Sequence, residues 1–110
     1  MSIQVPIADL ESCAADYGTA AYVLVGAAQG PPRVTHSSVR FDGVDFVVSI
    51  GRRAAAALTA NPEVCVLWPA TSDQSMSLIV DGEVVDPVDP DGGDVRIRAI
   101  GVVRHRPAPS

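Results

Sequence analysis

Two adjacent arginines, Arg52 and Arg53, stand where an apolar run gives way to a helical one. The stretch FVVSIGRRAAAALTANP, residues 46–62, reads as a strand, a glycine, the two cations and a short helix stopped at Asn61-Pro62. A helix start presents backbone N–H groups without intrahelical partners, backed by the positive end of the helix dipole. Two guanidinium groups at that point make a small anion site suited to a phosphate. Cations there oppose the dipole by about 0.3–1 kcal/mol each, so an anionic partner explains them better than solvent alone.

Other polar residues carry less. Arg33 follows Pro31-Pro32 in a turn and reads equally as a ligand contact or a surface arginine. His36 shares a strand face with Ser38. It reads as a half-buried histidine with a backbone partner, or as a hydrogen-bonding group for a bound ligand. His105 lies far from His36 in sequence, so two separated histidines supply no metal site. Asp86, Asp89, Asp91 and Asp94 crowd one turn-rich loop, but the glutamate that closes an EF-hand loop is missing, which leaves a solvated turn. Ser37 and Ser38 lack a glycine elbow and an acid partner, so nucleophilic hydrolysis has no support. No catalytic residue is singled out.

The elements that position these residues are mostly strands. Ile7, Leu10, Ala14 and Tyr17 fall at helical spacing, with Gly18 as the stop, which predicts a helix over 7–17. An apolar strand follows at 19–26, then a Gly-Pro-Pro turn over 27–32. Residues 33–41 alternate, with Val34, His36, Ser38 and Arg40 on one face and Thr35, Ser37, Val39 and Phe41 on the other. Neither face is wholly apolar, as expected if one lines a polar cavity. Asp42-Gly43 predicts a hairpin into 44–50, and after the helix at 52–60 come strands at 64–68 and 76–80. Residues 69–75 form a polar connection. Asp81-Gly82 predicts a second hairpin into 83–85, residues 86–94 a loop, 95–104 a final strand and 105–110 a proline-rich tail. Six or seven short antiparallel strands with hairpin turns imply a barrel or a sandwich. The barrel is preferred because closure removes edges that this chain does little to protect.

At 110 residues the chain is a single domain over 1–110. Hydrophobic residues make up 47% of it and aromatics only 5%, so the fold depends on aliphatic packing and leaves apolar surface for a partner subunit. The net charge of −5 argues against nucleic acid, which requires a basic surface. All eight cations are arginine, as phosphate contacts favour and as a GC-rich genome also produces. Cys13 and Cys65 form neither a disulfide framework nor a ligand cluster. No leader pattern opens the chain and no apolar run reaches membrane length, so a cytoplasmic protein without membrane contact is expected.

The order of these elements resembles the pyridoxamine 5′-phosphate oxidase-like flavin-binding split barrels. Gly51-Arg52-Arg53, Leu67-Trp68-Pro69, the run SLIVDG over 77–82, and His105-Arg106-Pro107 are similar to a short actinobacterial branch of that superfamily. The resemblance implies a split barrel and a homodimer with a flavin in each of two clefts between subunits. The usual ligand is FMN; some branches use the deazaflavin F420, and a few members bind haem or its breakdown products. By resemblance, Arg53 matches the arginine that holds the flavin phosphate, and Arg33 a second phosphate or ribityl contact. Ser49 matches a small polar residue beside the flavin chain. The family's neighbouring lysine falls on Ala54 and another near Ser38, so two cations are absent and Arg52 is the available substitute.

His36 then reads as a contact to the flavin ring or substrate. Trp68 reads as core, as dimer interface, or as a stack on a flavin edge. The expected cofactor-binding set is therefore Arg33, His36, Ser49, Arg52, Arg53 and Trp68, with no metal. The expected activity is FMN-dependent oxidation or reduction of a small molecule, with F420 as the alternative cofactor. The chain is too short for the C-terminal segment with which true pyridoxamine 5′-phosphate oxidases hold their substrate, so that activity is not expected. The competing reading is a non-catalytic ligand-binding barrel that has lost its flavin.

Overall fold

Eight antiparallel strands form one sheet that curls into a half-barrel around an aliphatic core. The computed structural model describes residues 2–27, 29–71 and 75–106. Its strands are β1 (Ser2–Gln4), β2 (Ala20–Val25), β3 (Arg33–Ser38), β4 (Arg40–Asp42), β5 (Asp45–Ile50), β6 (Glu63–Trp68), β7 (Ser77–Val84) and β8 (Gly93–His105). Helix α1 (Leu10–Ala15) follows a 3-10 turn, and α2 (Arg52–Ala60) separates β5 from β6. The strand order is β3-β2-β6-β7-β8-β5-β4, with β1 beside the far end of β8. The expected mostly β split barrel with one or two short helices is the fold observed, with eight strands where six or seven were expected. The proline-rich tail over 107–110 and the middle of the 69–75 connection lie outside the described residues.

Strand alternation decides what is buried. Ala21, Val23 and Val25 of β2 point inward together with Val64, Val66 and Trp68 of β6. Leu78, Val80, Phe46, Val48 and Ile97 complete the same core. Removing such side chains from water stabilises a fold by about 1.5–3 kcal/mol each, which explains a core with few aromatics. Trp68 sits at its centre, 6.4 Å from Phe41 in a stacked arrangement and 6.4 Å from Phe46 edge-on.

Long strand β8 organises the sheet. One edge pairs with β7 over residues 97–105; the other pairs with β5 over 93–98 and with β1 over 103–105. Strand β1 gives no sequence signal, because its three residues are all exposed and too few to show alternation. Residues 33–41 divide into two strands at Val39, whose N–H donates to the Thr19 carbonyl at 2.7 Å. The predicted helix over 7–17 is shorter than expected, and its Leu10 and Ala14 dock on the core.

One turn prediction is corrected. Asp81-Gly82 is not a hairpin; β7 runs through it as a continuous strand with a register shift between the two residues. Gly82 is required there for close packing. A Cβ at that position would lie 2.7 Å from Ile97 Cγ2 and 2.9 Å from the Arg98 carbonyl oxygen. By contrast, Asp42-Gly43 turns as expected: Asp42 pairs with Asp45 across the hairpin and Gly43 adopts φ 66°.

The two ends of the sheet, β3 and β4, are consecutive in sequence, so the sheet curls back on itself at β3 and β5. No backbone ladder joins β3 to β5. A side chain does: buried Ser37 Oγ accepts the Ser49 N–H at 2.9 Å and donates to the Ser38 carbonyl at 2.9 Å. This stitch holds the seam just ahead of α2.

Candidate functional site

Helix α2 begins directly after β5. Gly51 occupies the N-cap in extended conformation, with φ −87° and ψ −177°, and no side chain caps the helix. The Ala55 N–H is bonded to the Gly51 carbonyl at 3.0 Å, while the N–H groups of residues 52–54 precede the intrahelical ladder. No acidic residue stands in the first turn. Ala54, Ala55, Ala57 and Leu58 face the core, which turns Arg52 and Arg53 to solvent. Among the described residues neither arginine has a carboxylate within ion-pair distance. The helix closes at Asn61, whose N–H bonds the Ala57 carbonyl and whose Oδ1 accepts the Glu63 N–H at 3.1 Å.

The other expected site residues divide. Ser49 is exposed on the outer face of β5, three residues before Arg52, and its backbone is held by the Ser37 stitch. Arg33 lies at the opposite end of β3, four residues and roughly 13 Å of extended chain from Ser37. It pairs with Val25, whose other neighbour Val64 lies just beyond the end of α2. Arg33 is thus near the tail of α2, and Arg52 and Arg53 are at its head. His36 is on the outer face, stacked on Tyr22 with ring centroids 4.5 Å apart and planes 16° apart. Arg33 and His36 are three residues apart on a strand and point to opposite faces.

Of the readings the sequence leaves open for Trp68, the structure places it in the core. It is 1% exposed and wedged against Phe41 and Phe46. Its Nε1 has no hydrogen-bond partner among the described residues.

The structure adds a polar face that was not anticipated. On the outer side of β4, β5 and β8, Arg96 donates to Asp42 at 2.7 Å and stands 3.7 Å from Asp45 and 3.5 Å from Asp86. Arg98 donates to Asp45 at 3.0 Å, and Arg40 lies 3.6 Å from Asp94. The Arg98 hydrogen bond, reinforced by the charges of Arg98 and Arg96, holds the Asp45 carboxyl below its ordinary value against the opposing effect of burial. The alternation of Arg96 and Arg98 marked that face in the sequence, but the pairing partners depend on strand register.

A cleft of about 590 Å³ opens at the other end of the sheet's outer face, lined by Leu24, Pro32, Cys65, Asp81 and Ile100 among others. It contains none of the six expected site residues. Burial, and secondarily the Asp81 charge, pushes the Cys65 thiol up, so it stays protonated at neutral pH. No group of three or more metal-ligating side chains occurs among the described residues. No helix among them is long and apolar enough to cross a membrane.

These features define a split-barrel protein with a basic strand-to-helix junction. Its structural neighbours are proteins described as pyridoxamine 5′-phosphate oxidase-like, related to general stress protein 26, or F420 reductase. A putative pyridoxamine 5′-phosphate oxidase from Listeria innocua superimposes with a TM-score of 0.67 at 15% identity, covering 88% of this chain and 96% of that one. A Clostridium acetobutylicum protein related to general stress protein 26 of Bacillus subtilis matches with a TM-score of 0.67 at 15% identity, covering 93% and 91%. A protein described as an F420 reductase matches at 0.63 and 16% identity, covering 76% and 88%. At such identities the likeness is one of fold. No protein-family model matches the sequence, and no curated protein matches it.

Proposed function

We propose that this chain binds a phosphorylated flavin, FMN, and serves as a small flavin-dependent oxidoreductase. The observation that carries the reading is the head of α2: two exposed arginines without carboxylate partners among the described residues, at a helix start with no side-chain cap. Arg52 and Arg53 hold the phosphate by charge-assisted hydrogen bonds, with the free N–H groups of the first turn behind them. Ser49 borders the ribityl chain, and Arg33 contacts the flavin only where the ligand extends along the seam towards the tail of α2. When bound, the flavin supplies hydride chemistry; the chain binds it, orients it and excludes water.

The outer face of the sheet fits a second copy of the chain. His36, Tyr22, Leu67, Ile79 and Val103 form one lateral row across β3, β2, β6, β7 and β8. Tyr22 is 38% exposed and Val34, two residues from His36 on the same face, is 60% exposed, so this face carries apolar area for a homodimer. In that assembly His36 lies at the subunit boundary, within reach of a flavin held there. The substrate is a small molecule, and the activity is not that of a true pyridoxamine 5′-phosphate oxidase.

The neighbour described as an F420 reductase favours one second reading, F420 in place of FMN. Equilibrium dialysis of the purified protein against FMN, riboflavin and F420 separates these. The proposal expects micromolar FMN binding at least tenfold tighter than riboflavin, given about 1.4 kcal/mol or more from phosphate contacts. Preference for F420 moves the cofactor assignment. Binding of none of the three overturns the flavin reading and favours the non-catalytic barrel.

A further inference from the structure

We propose that Arg40 is a third cation of the phosphate site, held in reserve by Asp94, so that the ligand's phosphate competes with a carboxylate of the chain itself. This inference rests on the phosphate-binding reading above. Arg40 and Asp94 converge on Ser49 through strand register. Ser49 of β5 is the cross-strand partner of Asp94 of β8, and Arg40 of β4 pairs with Val47, two residues before Ser49 on the same face. The loop ahead of β8 also closes on this junction. At Gly92, with φ 89°, a Cβ would lie 2.6 Å from the Ile50 carbonyl oxygen and 3.2 Å from Gly51 Cα. The loop backbone therefore packs directly against the N-cap of α2, and only glycine permits it.

The arginines of this face are held differently. Arg96 and Arg98 are hydrogen-bonded to carboxylates at 2.7 and 3.0 Å. Arg40 meets Asp94 only at 3.6 Å, with side chains 68% and 63% exposed. Such a pair is weak in water. A phosphate offers a guanidinium two oxygens and nearly twice the charge of a carboxylate, so exchange of Arg40 from Asp94 to phosphate is favourable. Among the described residues Asp94 is the carboxylate within ion-pair distance of Arg40, while Asp89 Oδ1 accepts the Asp91 N–H at 2.9 Å within its own turn. The consequence is selectivity: a phosphorylated ligand displaces Asp94, and an uncharged analogue does not.

The test is a fluorescence titration with FMN and riboflavin at low salt on the wild type, Asp94→Asn, Arg40→Gln and the double variant. Asp94→Asn is expected to tighten FMN binding about three- to fivefold, the scale of an exposed ion pair, and Arg40→Gln to weaken it by a similar factor. The double variant is expected to behave as Arg40→Gln alone, with riboflavin affinity unchanged throughout. Unchanged FMN affinity in Asp94→Asn overturns the proposal, as does a gain that survives in the double variant, since that reports a general charge effect. Arg53→Ala in the same series separates the two levels. If it weakens FMN while Asp94→Asn has no effect, only the role of Arg40 falls. If it has no effect, or the wild type binds no FMN, the phosphate site falls with it.

Discussion

Ser37→Ala tests how the barrel seam supports the site. Ser37 is 8% exposed, and its hydroxyl accepts the Ser49 N–H at 2.9 Å on the β3 side. Removing it leaves that N–H half-buried, where the β5 ladder runs to β8 and offers no replacement. The cost of an unsatisfied, partly desolvated donor is about 1–2 kcal/mol. With unfolding entropy of about 2.1 cal/mol/K per residue, a chain of this length loses about 4–9 °C in Tm. Ser37→Thr keeps the hydroxyl and is expected to recover most of the loss. Thermal and urea unfolding followed by circular dichroism measure both variants, and an unchanged urea m-value shows that the native state alone was affected. A Ser37→Ala Tm within 1–2 °C of wild type would refute the claim that this side chain closes the sheet.

Three further outcomes follow from the packing and charges described. Gly82→Ala drives a methyl into Ile97 and the Arg98 carbonyl, and is expected to lower stability by about 1–3 kcal/mol in urea unfolding; wild-type stability would overturn this packing. Asp45 has a folded-state carboxyl held below its unfolded value of 3.8, so its stabilisation is complete above that value and is lost as the pH falls through the lower folded value. Stability measured from pH 5 to pH 2 should fall less steeply in Asp45→Asn than in wild type; parallel curves would remove Asp45 from the acid response. Leu67→Glu places a charge in the middle of the apolar outer row and, on the proposed homodimer, is expected to shift the protein towards monomer in analytical ultracentrifugation with its fold retained; a monomeric wild type would overturn the dimer proposal, and an unmoved dimer would place the interface elsewhere.

Most of the fold was legible because alternation and turn chemistry are local. The apolar runs of β2, β6 and β7 named the strands, but Leu24, Leu67 and Ile79 beside the buried Val23, Val66 and Val80 left the inward face unmarked. Asp42-Gly43 named a real hairpin. Asp81-Gly82 misled because the same dipeptide also serves close packing, and only the partner strand distinguishes the two uses. Strand β1 was invisible, being defined by what it pairs with and by nothing in its own three residues.

Site residues were legible to the extent that they are neighbours in sequence. Ser49, Arg52 and Arg53 share one strand-to-helix junction and stay together. Arg33 and His36 depend on register and on which face a residue takes, and these send them to opposite sides of β3. Trp68 ends an apolar strand, and alternation with Val64 and Val66 already placed it inward, where the core claims it. The ion pairs Arg40–Asp94, Arg96–Asp42 and Arg98–Asp45 join residues about fifty positions apart, a separation that no local pattern encodes.

The central claim is that the head of α2 is a phosphate site. Its most direct test is the FMN dissociation constant of Arg53→Ala measured beside that of wild type, with riboflavin as the control ligand. The account predicts at least a tenfold loss for FMN, the scale of a charge-assisted hydrogen bond of about 1.5–3 kcal/mol, and no change for riboflavin. Equal FMN affinity in the two proteins, or an equal loss for both ligands, would contradict it.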